Sequence, residues 1–401
     1  MIIQNEYARF TQCSCGQRHT LPQFQTVLAN DGLDAVTAYL RDNGMQRPLL
    51  VADPNTWAVL GQQLHAVLDE HNIVHETFVY DDAEPAADEE HLGQLAQACL
   101  HRPDCVISVA SGTITDLTRY TAYLMDIAHI AVCTAPSMDG YASSVAPLIN
   151  KGHKITFLAK APELIVALPA VLAAAPRKMI AAGFGDLMGK ITAKADWLLS
   201  HHLHGEAYCQ ATQELVDTAV QRSASLLDET HGDGTGADEE SFVCEIMEGL
   251  IHSGAAITLM GFSRPASGAE HHLSHYWEME ALKAGHTPEL HGLKVGYGTW
   301  IILQVYEWVR QRREQGELSS AEADAFDKAT SFLPSAAEYA LLAQKAHVSL
   351  NPEALKLSEG QVRQAVKEAL YVRERYTILR LAEAHGWLDS LADMVQVRWN
   401  E

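Results

Sequence analysis

The stretch SRPASGAEHHLSHYWEME at 263–280 places His271, His272 and His275 within five positions, and His291 opens HGLKVGYGT at 291–299. On a helix His271 and His275, four apart, share a face, while His272 turns about 100° away. A carboxylate from elsewhere completes the chemistry: Asp186 lies between glycines in AAGFGDLMGK at 181–190. Asp186, His271 and His291 make a mixed nitrogen and oxygen set from three segments. Such a set suits a divalent transition metal with coordination positions left open for a substrate. His275, one turn along, is placed to hydrogen-bond that substrate without ligating. The competing explanation is a polar helix face, because pairs at this spacing arise by chance among 20 histidines. The same explanation covers HHLH at 201–204 and His286. Asp186 itself reads either as a helix N-cap or as a carboxylate aimed into a cleft between domains.

A second group of residues suggests a dinucleotide. PLLVAD ends a strand at Asp53, where a carboxylate accepts from an adenosine ribose and repels the extra phosphate of NADP. SVASGTITDLTRY at 108–120 reads as strand, turn, helix. There Gly112 lets the backbone approach a pyrophosphate, and Thr113, Ile114, Thr115 and Asp116 form a helix N-terminus with free N–H groups. This is not the GxGxxG fingerprint. CTAPSMDGYASS at 133–144 adds Thr134, Ser137, Asp139 and Ser143 beyond another strand end. Taken singly, each of these turns reads more simply as a polar loop that starts a helix.

The elements that must hold these groups differ between the halves of the chain. Up to about residue 175, PLLVAD (48–53), NIVHETFVY (72–80), DCVISVA (104–110), HIAVCTA (129–135) and KITFLA (154–159) read as strands. TWAVLGQQLHAVLDEH and EEHLGQLAQACLH between them have helical spacing. Alternation of this kind predicts an α/β domain with a parallel sheet at 1–175. From 176 to 401, long amphipathic segments such as GEAYCQATQELVDTAVQRSASLLDE predict an all-α domain. The Gly- and acid-rich DETHGDGTGADEESF at 228–242 reads as an exposed loop between helices. The cofactor turns fall in the first half and the metal ligands in the second, which predicts a cleft between the two.

With 401 residues and 47 % hydrophobic content, the chain is long enough for two domains with well-buried cores. A formal net charge of −22 argues against a nucleic-acid partner, which requires clustered cations. Seven scattered cysteines suggest reduced thiols and a cytoplasmic home. CSCGQRH at 13–19 resembles half of a metal knuckle, but no second Cys/His pair follows nearby, so the sequence assigns it no metal role. MIIQNEYARF shows no signal-peptide pattern. The longest apolar stretch, ELIVALPAVLAAA at 163–175, is broken by Pro169 and reads as core.

SGTITD, APSMDGYAS, GFGDLMGK, SRPASGAEHHLSH and HGLKVGYGT together resemble the ordered motif set of the sn-glycerol-1-phosphate dehydrogenases. These belong to the superfamily of iron-type alcohol dehydrogenases, glycerol dehydrogenases and dehydroquinate synthases. The resemblance runs from about Asp53 to about Thr299, and the extended chain with its CSCGQRHTLP start looks more like the bacterial members. It implies Asp186, His271 and His291 as ligands of Zn2+, Ni2+ or Fe2+. It implies Asp139, Asp186 and His275 as substrate contacts, with Asp186 and His275 catalytic. Asp53, Gly112 to Asp116, Thr134, Ser137 and Ser143 match the NAD(P) positions. One departure is visible: ASGT stands where many relatives have two or three glycines.

The activity implied is reversible reduction of dihydroxyacetone phosphate, with the metal as Lewis acid and the nicotinamide as hydride donor. The implied assembly is a homo-oligomer, a dimer first, with neither nucleic acid nor membrane as partner. No phosphate-binding group is identified: Lys190 is either a candidate or a surface lysine. The alternatives are a glycerol dehydrogenase acting on unphosphorylated polyol, a dehydroquinate synthase-like lyase, or a non-catalytic relative. The lyase pattern LNxGHxxGH is absent.

Overall fold

Strand-forming runs of Val, Ile, Leu and Ala bounded by turn residues build the first half of the chain in the computed structural model, which describes residues 6–229 and 236–399. Six strands form one parallel sheet: β1 (Gln25–Leu28), β2 (Pro48–Ala52), β3 (Glu76–Val79), β4 (Cys105–Ala110), β5 (Ala128–Cys133) and β8 (Leu164–Ala167). Their order is β1-β8-β5-β4-β2-β3. β2, β4, β5 and β8 are buried along their whole length, as strands covered on both faces must be.

The expected parallel sheet is therefore present, with two corrections of membership. KITFLA does not join it. It forms β7 (His153–Leu158), paired antiparallel with β6 (Val145–Asn150) in a separate hairpin. The turn residues Lys151 and Gly152 both have positive φ, as a tight two-residue hairpin turn requires. The sheet instead takes LIVA from the apolar 163–175 stretch and QTVL near the N-terminus. Four-residue strands in those settings carry too little periodicity to stand out.

The chain runs from β2 outward to β3, then returns to β4 on the other side of β2. This reversal opens a crevice at the carboxyl ends of β2 and β4, the place where open α/β sheets bind ligands. Asp53 follows β2 and Ser111-Gly112 follows β4.

The remaining described chain is helical, including Arg177–Met188, Lys190–His204, Gln210–Glu229, Gly236–Met260, Ala269–Lys283 and His291–Glu314. The loop expected at 228–242 is shorter, because helix resumes at Gly236; residues 230–235 lie outside the described residues. Packing divides the chain into two units. One holds Glu6–Gln12, Thr20–Ile180 and most of the Gly236–Met260 helix. The other holds Cys13–His19, the helices from Ala181 through Gln210–Glu229, and the chain from Met260 onward. The single boundary expected at 175/176 thus meets a chain that changes unit several times. The Gly236–Met260 helix belongs with the sheet unit, where Ser253 donates to Asp139 at 2.9 Å. Its Glu239–Met260 stretch is long and apolar enough to cross a membrane, but most of its apolar length is buried, as in a core helix.

Candidate active site

Glycine brings Asp186 and His291 together in the helical unit. A β-carbon on Gly292 would lie 1.8 Å from the Ala182 carbonyl oxygen, and one on Gly185 would lie 2.5 Å from the Gly292 oxygen. The Arg177–Met188 and His291–Glu314 helices therefore touch backbone to backbone, as only glycine permits. Asp186 follows Gly185 and His291 precedes Gly292, so this contact sets carboxylate against imidazole. Asp186 is in the body of its helix, not the N-cap.

His271 comes from the first turn of Ala269–Lys283, and the SRPASG segment before it is a set of anchors. Arg264 makes a two-pronged pair with Glu206 at 2.8 and 2.6 Å. Arg375 donates to Ser263 Oγ at 2.7 Å. The buried Asp196 accepts from Ala269 N, Ile378 N and Tyr306 OH, each at 2.7 Å. Burial and the neighbouring Glu270 push the Asp196 carboxyl up to about 7.

The resulting centre has the donors a divalent ion needs. The ligand atoms of Asp186, His271 and His291 lie within 4.8 Å of one another, and Asp186 is completely buried. His271 Nε2 is 3.5 Å from Asp186 Oδ1, while its Nδ1 is 2.7 Å from Glu270 Oε1. Glu270 is itself held by Gly268 N at 2.6 Å and Thr192 Oγ1 at 2.7 Å. A carboxylate behind a histidine fixes the tautomer that leaves Nε2 as the donor. Burial and Lys190 oppose protonation of His271, but its bonds to Asp186 and Glu270 prevail and raise its pKa. Burial likewise opposes ionisation of Asp186, yet the Lys190 cation and both histidines hold its carboxyl well below the usual range. These residues fit a metal.

Lys190 is corrected. It is neither a surface lysine nor placed as a phosphate donor: 1 % exposed, it pairs with Asp186 at 2.8 Å. His275 lies beside the triad, its ring stacked on His291 at 5.4 Å and 27°. Arg373 reaches His275 Nε2 at 3.2 Å. A guanidinium only donates, so Nε2 accepts and the ring proton sits on Nδ1, toward Glu278 Oε2 at 3.5 Å. His275, Glu278 and His291 form a second triad within 4.8 Å. Glu270, Glu278 and Arg373 were missed in the sequence. Glu270 was hidden by adjacency, because neighbours on a helix usually point apart, and Arg373 is 98 positions from His275.

The cofactor candidates belong to the sheet unit. Asp53 is 8 % exposed and caps the turn Pro54–Thr56, its Oδ1 accepting from Thr56 N at 2.8 Å. Gly112 opens the Gly112–Met125 helix, and the Ser111 side chain does not cap it. That N-terminus stands in the crevice between β2 and β4 and fits a pyrophosphate. Thr113 follows it, and Thr115 turns its hydroxyl back to Ser111 O at 2.6 Å. Ile114 packs into the core beneath the helix. The Asp116 carboxylate pairs with buried Arg119 at 2.9 Å, and burial still pushes it up to about 6. Arg119 also donates to Val145 O at 2.8 Å and to Gly140 O. Asp116 thus helps brace the 139–145 loop. Thr134 is buried past β5, Ser137 lies 3.5 Å from Tyr141 OH, and Ser143 Oγ accepts from Val145 N at 3.1 Å. Asp139 meets Ser253 in the same unit.

Residues 27–176 match the family model described as iron-containing alcohol dehydrogenase. The chain is 36 % identical over 388 residues to an NAD(P)+ glycerol-1-phosphate dehydrogenase of Halalkalibacterium halodurans, covering 94 % of this chain and 96 % of that one. A second, from Geobacillus stearothermophilus, is 36 % identical over 92 % of this chain and 94 % of its own. Among solved structures, glycerol dehydrogenase from Schizosaccharomyces pombe superimposes with a TM-score of 0.65 at 19 % identity, covering 94 % and 91 % of the two chains. Maleylacetate reductase from Agrobacterium tumefaciens does so at 0.65 and 14 %, covering 94 % and 97 %. The structural likeness speaks for the fold alone, whereas the sequence identity extends over more than nine-tenths of the chain. On that identity the chain belongs to the glycerol-1-phosphate dehydrogenase family, within the iron-containing alcohol dehydrogenases.

Proposed function

We propose that this protein reversibly reduces dihydroxyacetone phosphate to sn-glycerol 1-phosphate with NAD(P)H. The observation that carries the reading is the Asp186–His271–His291 triad with Glu270 behind His271. The names of relatives alike over more than nine-tenths of the chain support the substrate. When bound, a divalent ion, Zn2+, Ni2+ or Fe2+, would supply Lewis-acid polarisation and the nicotinamide a hydride.

The chain's own residues do the rest. Asp186, His271 and His291 would hold the ion, and Lys190 keeps Asp186 ionised. His275 stands beside the triad, where it would orient a substrate hydroxyl and exchange its proton once Arg373 turns from its Nε2 to the substrate phosphate. Arg373 supplies the phosphate contact that the sequence alone did not reveal. It forms no ion pair among the described residues, and its guanidinium lies next to His275. A fork of donors with no carboxylate partner is suited to a phosphate dianion. In the sheet unit, the Gly112 helix N-terminus would receive the pyrophosphate and Asp53 the adenosine ribose, with Thr134, Ser137 and Ser143 as further cofactor contacts. Asp139 is carried as a substrate contact. We place the enzyme in the cytoplasm as a homodimer, a reading supported by its scattered, unbridged cysteines and by the family resemblance.

The test is NADH oxidation with dihydroxyacetone phosphate against dihydroxyacetone, followed by chiral analysis of the product. Turnover of the phosphorylated ketone to the sn-1 isomer is expected. Equal kcat/KM for the two ketones would replace this reading with a polyol dehydrogenase.

A further inference from the structure

The half-knuckle at 13–19 finds its missing partner far along the chain. Cys13, Cys15 and His19 converge on Cys209, and the four ligand atoms lie within 4.8 Å of one another. Cys13 Sγ is 3.6 Å from Cys209 Sγ, His19 Nε2 is 3.6 Å from Cys209 Sγ, and Cys15 Sγ is 3.2 Å from His19 Nε2. No disulfide joins the cysteines among the described residues. A tetrahedral zinc with Zn–S of about 2.3 Å and Zn–N of about 2.0 Å has S···S and S···N edges of roughly 3.8 and 3.5 Å. The observed spacings are close to those edges, and too long for a covalent bond between sulfurs.

The surroundings are also those of a metal knuckle. Gln17 N and Thr212 N each donate to a sulfur, Cys15 and Cys209 respectively, at 3.4 Å, so backbone amides orient two of the sulfurs. Gly16, at φ +77°, turns the chain between Cys15 and His19 in a conformation other residues rarely adopt. Cys209 is fully buried, and Trp197, Tyr208 and Phe262 pack around the cluster. Cys13–His19 belongs to the helical unit although the chain on both sides of it belongs to the sheet unit. Seven residues seldom hold such a place through apolar contacts alone.

We propose that Cys13, Cys15, His19 and Cys209 bind a structural zinc ion, separate from the Asp186 centre, that fastens the N-terminal segment to the start of the Gln210–Glu229 helix. All four positions come from the protein, so the site is closed to substrate. Binding displaces the thiol protons of the three cysteines to solvent.

Metal analysis of the full-length protein decides this without touching the cluster. The His271→Ala/His291→Ala double variant is expected to retain one zinc per chain. An organomercurial should release that zinc stoichiometrically, and cobalt replacing it should show thiolate-to-metal charge-transfer absorption. Cys15→Ser and Cys209→Ser should lose this zinc while keeping the metal of the Asp186 centre. His19→Cys should retain it, which separates loss of a ligand from general disruption. A double variant free of zinc, with thiols as reactive when native as when unfolded, would overturn the proposal. So would recovery of a Cys13–Cys209 disulfide in the protein purified under reducing conditions.

Discussion

Gly292 and Ala182 are in backbone contact, so close that a β-carbon on Gly292 would fall 1.8 Å from the Ala182 carbonyl oxygen. In an exposed helix Gly→Ala stabilises by about 1 kcal/mol. Here the sign reverses, because the added methyl must push two helices apart. Gly292→Ala is expected to destabilise by at least the ~1–3 kcal/mol of an overpacked core. It should also separate Asp186 from His291 and cut activity about 100-fold, the scale of a 1 Å misplacement. Thermal melts and metal content read both effects; unchanged metal binding would show that the glycine contact does not set the ligands.

His271→Ala and His291→Ala should each lose metal and activity together. His275→Ala should lose activity while keeping most of the metal, since Arg373 occupies its Nε2. The Glu278 carboxylate beside it makes this a sharp test, because equal metal loss would move the ion to the His275–Glu278–His291 triad. Glu270→Gln keeps the shape but weakens the acceptor behind His271, and should lower metal affinity about 10–100-fold.

Arg373→Ala should raise KM for dihydroxyacetone phosphate far more than for dihydroxyacetone. A hydrogen bond to a charged group contributes roughly 1.5–3 kcal/mol, or about 10–150-fold. Steady-state kinetics on both ketones measure the split. A parallel loss on the two substrates would assign Arg373 to positioning His275 instead of binding phosphate.

Asp53 should favour NADH over NADPH through charge. A repulsion of about 1.4 kcal/mol is tenfold, within reach of a pair near a protein surface. The structure improves the test: Asp53 caps the Pro54–Thr56 turn, and Asn caps about as well as Asp. Asp53→Asn should therefore narrow the preference by improving NADPH, with little change in melting temperature. An unchanged ratio of kcat/KM would clear Asp53 of the discrimination.

The sequence by itself determined the inventory and much of the local structure. Alternating strand and helix patterns marked β2, β4 and β5, and the motif order carried Asp186, His271 and His291 as one set. Those signals are local, since burial periodicity and donor chemistry are written in neighbouring residues. Tertiary structure alone decided which distant groups meet. KITFLA has strand character in either setting, and only the hairpin partner at Val145–Asn150 took it out of the sheet. Lys190 reads as a solvated cation until Asp186, one helical turn before it, is seen to be buried. Cys209 completes a four-ligand cluster with residues almost two hundred positions away. No spacing rule spans such a separation, because loop closure costs little more for long loops than for short ones. Packing, not chain distance, chose the partner.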